Sequence, residues 1–342
     1  MNPYLEDLDI ASSKIDWNRL NDKTIMITGA TGMIGSCLVD CIMRRNKLYD
    51  TNIKILALGR NVERASEIFA GYISNKLFQF IKHDIVEAIN FDDEIDYIIN
   101  AASSATPSEF AKHPVGVMQG NIIGMINLLE LSREKGATLV YISSAEIYGD
   151  IDVESKKESD YGYINHLEAR ASYPISKKAA ETLAIAYAEE YGVNVKICRL
   201  SHVFGPTMTK TDNRAASEFI RLGTAGKDII LRNNMPVIRT YTYVVDAVSG
   251  ILFVLLYGNS QEAYNIANHD SIVTIKEFAE DVALCTRTKV VLIQPTKSER
   301  KGYTKIDKQV VNNEKLLGLG WRPQFPCSVG IEHTIRSINF IR

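Results

Sequence analysis

Cysteine is scarce and poorly placed for chemistry. Cys37, Cys41, Cys198, Cys285 and Cys327 make an odd count of five, with no CxxC pair. Cys37 and Cys41 stand one helical turn apart, but no histidine cluster accompanies them, so no metal site is expected. Reduced, mostly buried thiols of a cytoplasmic protein are the expectation instead. Charge of one sign is missing as well: 39 Lys and Arg against 41 Asp and Glu leave a net charge of -2, with the cations scattered. That argues against nucleic acid or an anionic membrane as the main partner. The N-terminal stretch MNPYLEDLDIASSKIDW has no apolar signal core, and the most apolar run, 250–257, is too short to span a bilayer. No internal repeat or low-complexity tract is present.

What is there is an alternation. Short apolar runs at 24–28, 53–58, 78–81, 97–100, 138–143 and 195–200 are separated by helix-like segments, among them 33–45, 115–135 and 176–191. This is the pattern of an α/β protein, a Rossmann-type parallel sheet with helices on both faces. In the last of those helices Ala179, Leu183, Ala186 and Tyr187 recur at helical spacing with acids opposite, predicting that this face packs inward. After Gly205-Pro206 the rhythm breaks, near Asn213, near Gly226 and over 233–236. The expected division is an N-terminal extension over 1–22, a nucleotide-binding Rossmann domain over 23–200 with returning segments near 240–267, and a smaller C-terminal α/β substrate-binding region over 201–342.

The segment TIMITGATGMIG sets an apolar strand before Gly29, Gly32 and Gly35 and a helix directly after them. Side chains at those glycines would block a tight turn and the approach of backbone to a pyrophosphate, which the helix N-terminus then receives. A dinucleotide site follows from that context. The second strand runs out at Leu58-Gly59-Arg60, without the acid that would accept a ribose 2′-hydroxyl of NAD. Arg60 is either a partner for the 2′-phosphate of NADP or a solvated loop cation. Asp84 at the third strand end is placed to accept the adenine amino group, and Asn100-Ala101-Ala102 is small enough for a cofactor to cross the strand tips.

Tyr173-Pro-Ile-Ser-Lys177 puts a phenol and an ammonium one turn apart on a helix face. A cation at ~4 Å favours phenolate by up to ~3 pKa units, making the tyrosine a usable proton acceptor. The preceding strand ends in Ser143-Ser144, where a hydroxyl can meet the reacting oxygen.

GATGMIG, HDI, NAAS, SSAEIYG, YPISK, RLSHVFGP, RTYTYVVDAV, YNIAN and LGWRP, spread from Lys23 to Pro323, together resemble the extended short-chain dehydrogenases/reductases of the nucleotide-sugar epimerase/dehydratase group. The resemblance implies a nucleoside diphosphate sugar as substrate and NAD as cofactor, with NADP left open by Arg60. It also implies a homodimer through a four-helix bundle. It casts Tyr173 as the base at the sugar 4-hydroxyl, Lys177 as its electrostatic partner and ribose contact, and Ser144 as the hydroxyl orienting O4. Cofactor contacts are implied at Gly29, Thr31, Gly32, Met33, Ile34, Gly35, Arg60, Asp84, Ile85, Ala101, Ala102, Ser103 and Asn121, besides Tyr173 and Lys177. Substrate contacts are implied at Thr106, His202, Arg214, Arg239 and Tyr241.

A 4-keto intermediate has three fates: return of hydride to the opposite face, loss of water across C5–C6, or loss of a C5 carboxylate. Dehydratases of the group carry an acid where this chain has Ala145. Glu146 is kept, as in dehydratases and UDP-glucuronate decarboxylases, and is read as catalytic; the plainer alternative is a loop carboxylate. The segments around Arg170, Arg214 and Arg239 are most similar to the decarboxylase branch. His202 replaces the branch's usual asparagine, either as a diphosphate contact or as a packed histidine. A nucleotide-sugar decarboxylase is therefore expected. A 4-epimerase, a 4,6-dehydratase, an NADP-dependent reductase or dehydrogenase, and a non-catalytic cofactor-binding scaffold are the rivals.

Overall fold

The computed structural model describes residues 2–232, 236–294 and 306–341; the break in rhythm expected over 233–236 falls, at 233–235, outside them. Its centre is a seven-stranded parallel sheet. In chain order the strands are β1 (Thr24–Thr28), β2 (Lys54–Gly59), β3 (Phe78–Lys82), β4 (Tyr97–Asn100), β5 (Thr138–Ser144) and β6 (Val195–Leu200), with Glu262–Ile266 arriving last. Spatially they run β3-β2-β1-β4-β5-β6 and then Glu262–Ile266 at the edge, every neighbour parallel. This is the expected Rossmann-type sheet, and the strand order reverses between β1 and β4, where ligands of such sheets sit.

The strands read as continuous apolar runs because both faces are covered. Ile25 and Ile27 join one core with Cys37, Leu38 and the helix Val244–Tyr257, while Met26, Leu56 and Leu58 join a second core with Leu128, Leu129 and Ala184. Helices α2 (Met33–Tyr49) and Val244–Tyr257 pack on the first face; Pro114–Lys135 and Ser172–Tyr191 pack together on the second. The apolar 250–257 run is thus a buried helix, and among the described residues no helix is long and apolar enough to cross a membrane.

The helical face expected to turn inward is displaced. The buried residues of Ser172–Tyr191 include Tyr173, Lys177, Ala180, Ala184 and Ala188, whereas Leu183 and Tyr187 are half-buried and Ala186 is exposed. Alanines win the inner face because the neighbouring helix Pro114–Lys135 packs closely there. Glu181, read as solvated, is buried in a 2.7 Å ion pair with Arg199.

Residues 2–22 are also packed: Pro3–Ala11 contacts α2, Val244–Tyr257 and Cys327–Ile341, and Tyr4 and Leu8 enter the first core. Beyond β6 lies a smaller sheet in which β7 (His202–Phe204) and Lys308–Gln309 run parallel to Ile238–Tyr243, with Ile272–Thr274 antiparallel on the other edge. Val290–Leu292 pairs separately with Ile229–Leu231.

Candidate active site

The cofactor side is built of backbone. Gly29 sits at φ +62°, and a Cβ there would lie 2.6 Å from the carbonyl oxygen of Ala101; at Gly35 it would overlap the carbonyl of Gly29. At Gly32 a Cβ would approach only the Gly29 carbonyl, at 3.1 Å, so its outer side is open. Gly32 caps α2 without any side-chain hydrogen bond, which leaves the first-turn N–H groups for an anion. This cradle, bordered by Thr31, Met33 and Ile34, fits a dinucleotide pyrophosphate. Thr28 and Asn100 share a 2.9 Å hydrogen bond, and both accept from the N–H of Ala102 at 3.3 Å, which fixes the strand tips beside the glycine turn.

Arg60 is largely exposed and faces Asp84 at 3.6 Å. Asp84 also accepts from the N–H of Val86 at 3.3 Å, and Ile85 packs on Gly124. Asn121, expected against the cofactor, is buried with its amide committed inside the protein. It accepts from Ser103 and donates to Ser176, each at 2.9 Å, and Ser176 donates to the carbonyl of Tyr173 at 3.0 Å. It braces the turn that carries Tyr173.

Tyr173 lies in the first turn of Ser172–Tyr191 and Lys177 one turn on. The phenol is 7% exposed and stacks on Phe110, with centroids 4.5 Å apart. Burial pushes its pKa up to about 12, and the charge of Glu146 adds to the rise; a hydrogen bond with Ser144, then Arg214 and Arg170, oppose it. Lys177 is buried beside the phenol. Its ammonium donates to the carbonyl of Ile142 at 2.7 Å, stands 5.8 Å from the Tyr173 ring centroid, and is pushed down to about 7 by burial. Arg214 and Arg170, which oppose the rise, lie outside the YxxxK motif.

Ser144 ends β5 and caps a 3₁₀ turn, Ala145–Tyr148, by accepting from the N–H of Glu146 at 3.2 Å. The turn aims Glu146 at Arg170, whose guanidinium reaches both carboxylate oxygens at 3.1 and 3.2 Å and lies 4.7 Å over the Phe110 ring. Ala145 is buried against Ile147, Tyr148 and Val311. Arg170, met in the sequence only within a decarboxylase-like segment and given no role, and Phe110, not singled out there, are functional neighbours of Tyr173; an arginine three residues before the tyrosine was the available signal.

The substrate side is cationic. Arg214 precedes Ala215–Thr224 and is paired with Asp212 at 2.6 Å. Arg239, on Ile238–Tyr243, is buried and donates to the carbonyls of Ile238, Ile306 and Asp307 at 2.7–3.1 Å. His202 begins β7 with its Nδ1 buried and without a hydrogen-bond partner. Burial, then Arg239, Arg214 and Lys156, push its pKa down to about 3, so the ring is neutral at working pH. Tyr241 is held mainly by packing, its ring 4.5 Å from Phe278 and 5.8 Å from His202. Thr106 caps the short helix Pro107–Lys112, whose Phe110 reaches Tyr173. A separate cleft of about 780 Å³, lined in part by Lys178, Glu181, Arg199 and Lys315, contains none of these residues; within it Arg199 pairs with Glu181 and Lys315 with Glu262.

Residues 25–267 match the NAD dependent epimerase/dehydratase family. The chain belongs to that family. It is 31% identical over 92% of its length to UDP-glucuronic acid decarboxylase 1 of Danio rerio, covering 72% of that protein. Among solved structures it resembles a dTDP-glucose 4,6-dehydratase from Streptomyces venezuelae (TM-score 0.79, 22% identity, 92% of this chain and 97% of the other). It also resembles a UDP-glucuronic acid 4-epimerase from Bacillus cereus (TM-score 0.78, 19% identity, 92% and 99%). The family is one of NAD-dependent enzymes, which settles the nicotinamide in favour of NAD and sets aside the non-catalytic scaffold. Arg60, facing Asp84, then reads as a rim cation.

Proposed function

We propose that this chain oxidises a nucleoside diphosphate sugar at C4 and removes a carboxylate from C5, as a UDP-glucuronate decarboxylase does. The observation that carries this reading is the grouping of Glu146, Ser144 and Tyr173 at one strand end, with Glu146 held by Arg170 and Arg239 within its electrostatic reach. The glycine turn Gly29–Gly35 would hold NAD, which when bound would supply a hydride acceptor for C4 and the source of its return. Tyr173 accepts the 4-hydroxyl proton, Ser144 orients that oxygen, and Lys177 holds the tyrosine's surroundings from the Ile142 carbonyl. A ketone at C4 lies β to the C5 carboxylate, so the C5–carboxyl bond can break as carbon dioxide leaves and its electron pair enters an enolate. Protonation at C5 then restores the ketone, and Glu146 is placed to manage that proton. Loss of water has no acid at Ala145, which ranks dehydration below decarboxylation and epimerisation.

In this reading the Gly29–Gly35 turn would hold the NAD pyrophosphate, Asp84 and Ile85 would serve the adenine end, and Ala101, Ala102 and Ser103 would line the strand tips. Thr106, His202, Arg214, Arg239 and Tyr241 surround the diphosphate sugar. The half-exposed Leu183 and Tyr187, with Val115, Met118 and Ile123 on the adjoining helix, form the face of a four-helix homodimer. The working place is the cytoplasm, where the reduced thiols belong. Incubation with UDP-, dTDP-, GDP- and CDP-sugars, read by mass, tests the reaction. Loss of carbon dioxide from a uronate supports it; a product of unchanged mass or one short of water overturns it in favour of epimerase or dehydratase.

A further inference from the structure

The small sheet carries buried polar groups that, among the described residues, pair with no carboxylate. His202 is in register with Tyr241, Gln309 is in register with Arg239, and Arg239 and Tyr241 are two residues apart on one strand. Side chains in parallel register share a face, as do residues two apart, so all four project from the same side. Lys156 joins them from the next segment, bridging to Val311 and exchanging backbone hydrogen bonds of 2.9 Å with Val310 and Asn312.

Lys156 and Arg239 are each 2% exposed and Gln309 is 3% exposed. The Lys156 ammonium donates to the Gly149 carbonyl at 3.2 Å. Among the described residues no carboxylate forms an ion pair with Lys156 or Arg239. The Gln309 amide nitrogen and His202 Nδ1 are buried with no partner at all. Buried polar groups are nearly always satisfied, and buried unpaired charge is costly. Two buried cations that meet only backbone carbonyls, and two orphan nitrogens, thus surround one face and suit an acceptor with several anionic oxygens.

We propose that Lys156 and Gln309 complete, with Arg239 and His202, a receptor for an oxyanion of the nucleotide sugar, and so set its preference for charged substrates. This rests on the nucleotide-sugar reading above. The oxyanion is either the sugar carboxylate or the diphosphate, and both present the same acceptor oxygens. Lys156 also links the receptor to the turn bearing Glu146, because Gly149 closes that turn.

The test is calorimetric binding of UDP, UDP-glucose and UDP-glucuronate to the NAD-loaded enzyme, with thermal unfolding of the ligand-free proteins beside it. Lys156→Met and Gln309→Leu should each weaken binding by about tenfold while leaving Tm unchanged or raised, since the first removes a buried charge with no carboxylate partner and the second an amide nitrogen with no acceptor in the free protein. A purely structural role predicts a fall in Tm with binding retained. Weakening confined to UDP-glucuronate assigns the sugar carboxylate; equal weakening of all three ligands assigns the diphosphate. Gln309→Leu carries the test if Lys156→Met does not fold. A parent enzyme that binds none of the three overturns the nucleotide-sugar reading and this inference with it. A parent that binds them, beside folded variants whose dissociation constants stay within twofold, overturns the inference alone.

Discussion

On the cofactor side of the site, function is written in the main chain: Gly29 in the left-handed region, Gly32 open to the outside, and an uncapped helix terminus behind them. On the substrate side it is written in long side chains, Arg170, Arg214, Arg239 and Lys156, brought together from four separate segments. The first half is complete before any ligand binds, because its donors are backbone N–H groups fixed by the strand–turn–helix unit. The second half carries buried donors that lack acceptors in the free protein. A substitution on the cofactor side should therefore act by exclusion, and one on the substrate side by mispositioning or by changing charge.

The largest effect expected is at the junction of the halves. Tyr173→Phe keeps the ring stacked on Phe110 and removes only the group that takes the proton. Turnover should fall by about three orders of magnitude or more while NAD affinity stays within about twofold. Activity within tenfold of the parent would remove Tyr173 from the chemistry. Next in size is Gly32→Val. The new Cβ meets only the Gly29 carbonyl at 3.1 Å, so the protein should fold, but the branched side chain fills the space left for pyrophosphate. NAD affinity should drop by about two orders of magnitude, and calorimetry showing parental affinity in a folded variant would refute the cradle.

Glu146 and Arg170 test the other half. Glu146→Gln should cut product formation by about a hundredfold while reduced nicotinamide still appears on mixing with substrate. Arg170→Met should have the same signature, smaller, because it frees the carboxylate that it now holds at 3.1 Å. If the pair acts as one unit, the double variant falls no further than Glu146→Gln alone. Independent, multiplying losses would separate the two roles, and near-parental product formation by Glu146→Gln would favour a simple 4-epimerase.

The two halves also differ in how far the sequence exposes them. Parallel strands buried on both faces are continuous apolar runs, and the glycine spacing has one dominant structural use, so strands 24–28, 97–100 and 195–200 are read to the residue. Tyr173 and Lys177 are visible because they lie on one helix. Arg170, Lys156 and Gln309 are not, because each sits outside a periodic segment and gains meaning only from partners 24 to 83 positions away, Glu146 for the first and Arg239 for the second. A lysine in the run ESKKESD looks like solvated loop; only the pairing of its backbone with 310–312 buries it. The inner face of Ser172–Tyr191 is misread for a related reason. Periodicity marks an apolar stripe, but close helix packing selects the alanines.

The smallest expected effect concerns the seam between the halves. Asp246 stands in the first turn of Val244–Tyr257, against the Rossmann sheet, and accepts from the N–H groups of Gln324 and Phe325 in the C-terminal region at 2.8 and 3.0 Å. Burial nevertheless pushes its pKa up to about 7, those two hydrogen bonds opposing the rise. In the unfolded chain the carboxyl titrates at about 3.9. Between those values the folded state holds a proton that the unfolded state has lost, so stability contributed by Asp246 falls as pH rises from about 4 to about 7. Below that window both states are protonated and the contribution is full; above it both are ionised and it is gone. Asp246→Asn keeps a carbonyl acceptor for the seam but cannot ionise. The variant should show a Tm that depends less on pH across this window, by several degrees, on the order of 4 kcal/mol. Turnover at neutral pH should change little, because Asp246 touches neither half of the site. Parallel curves for parent and variant from pH 4 to 8 would show that the seam is indifferent to this proton.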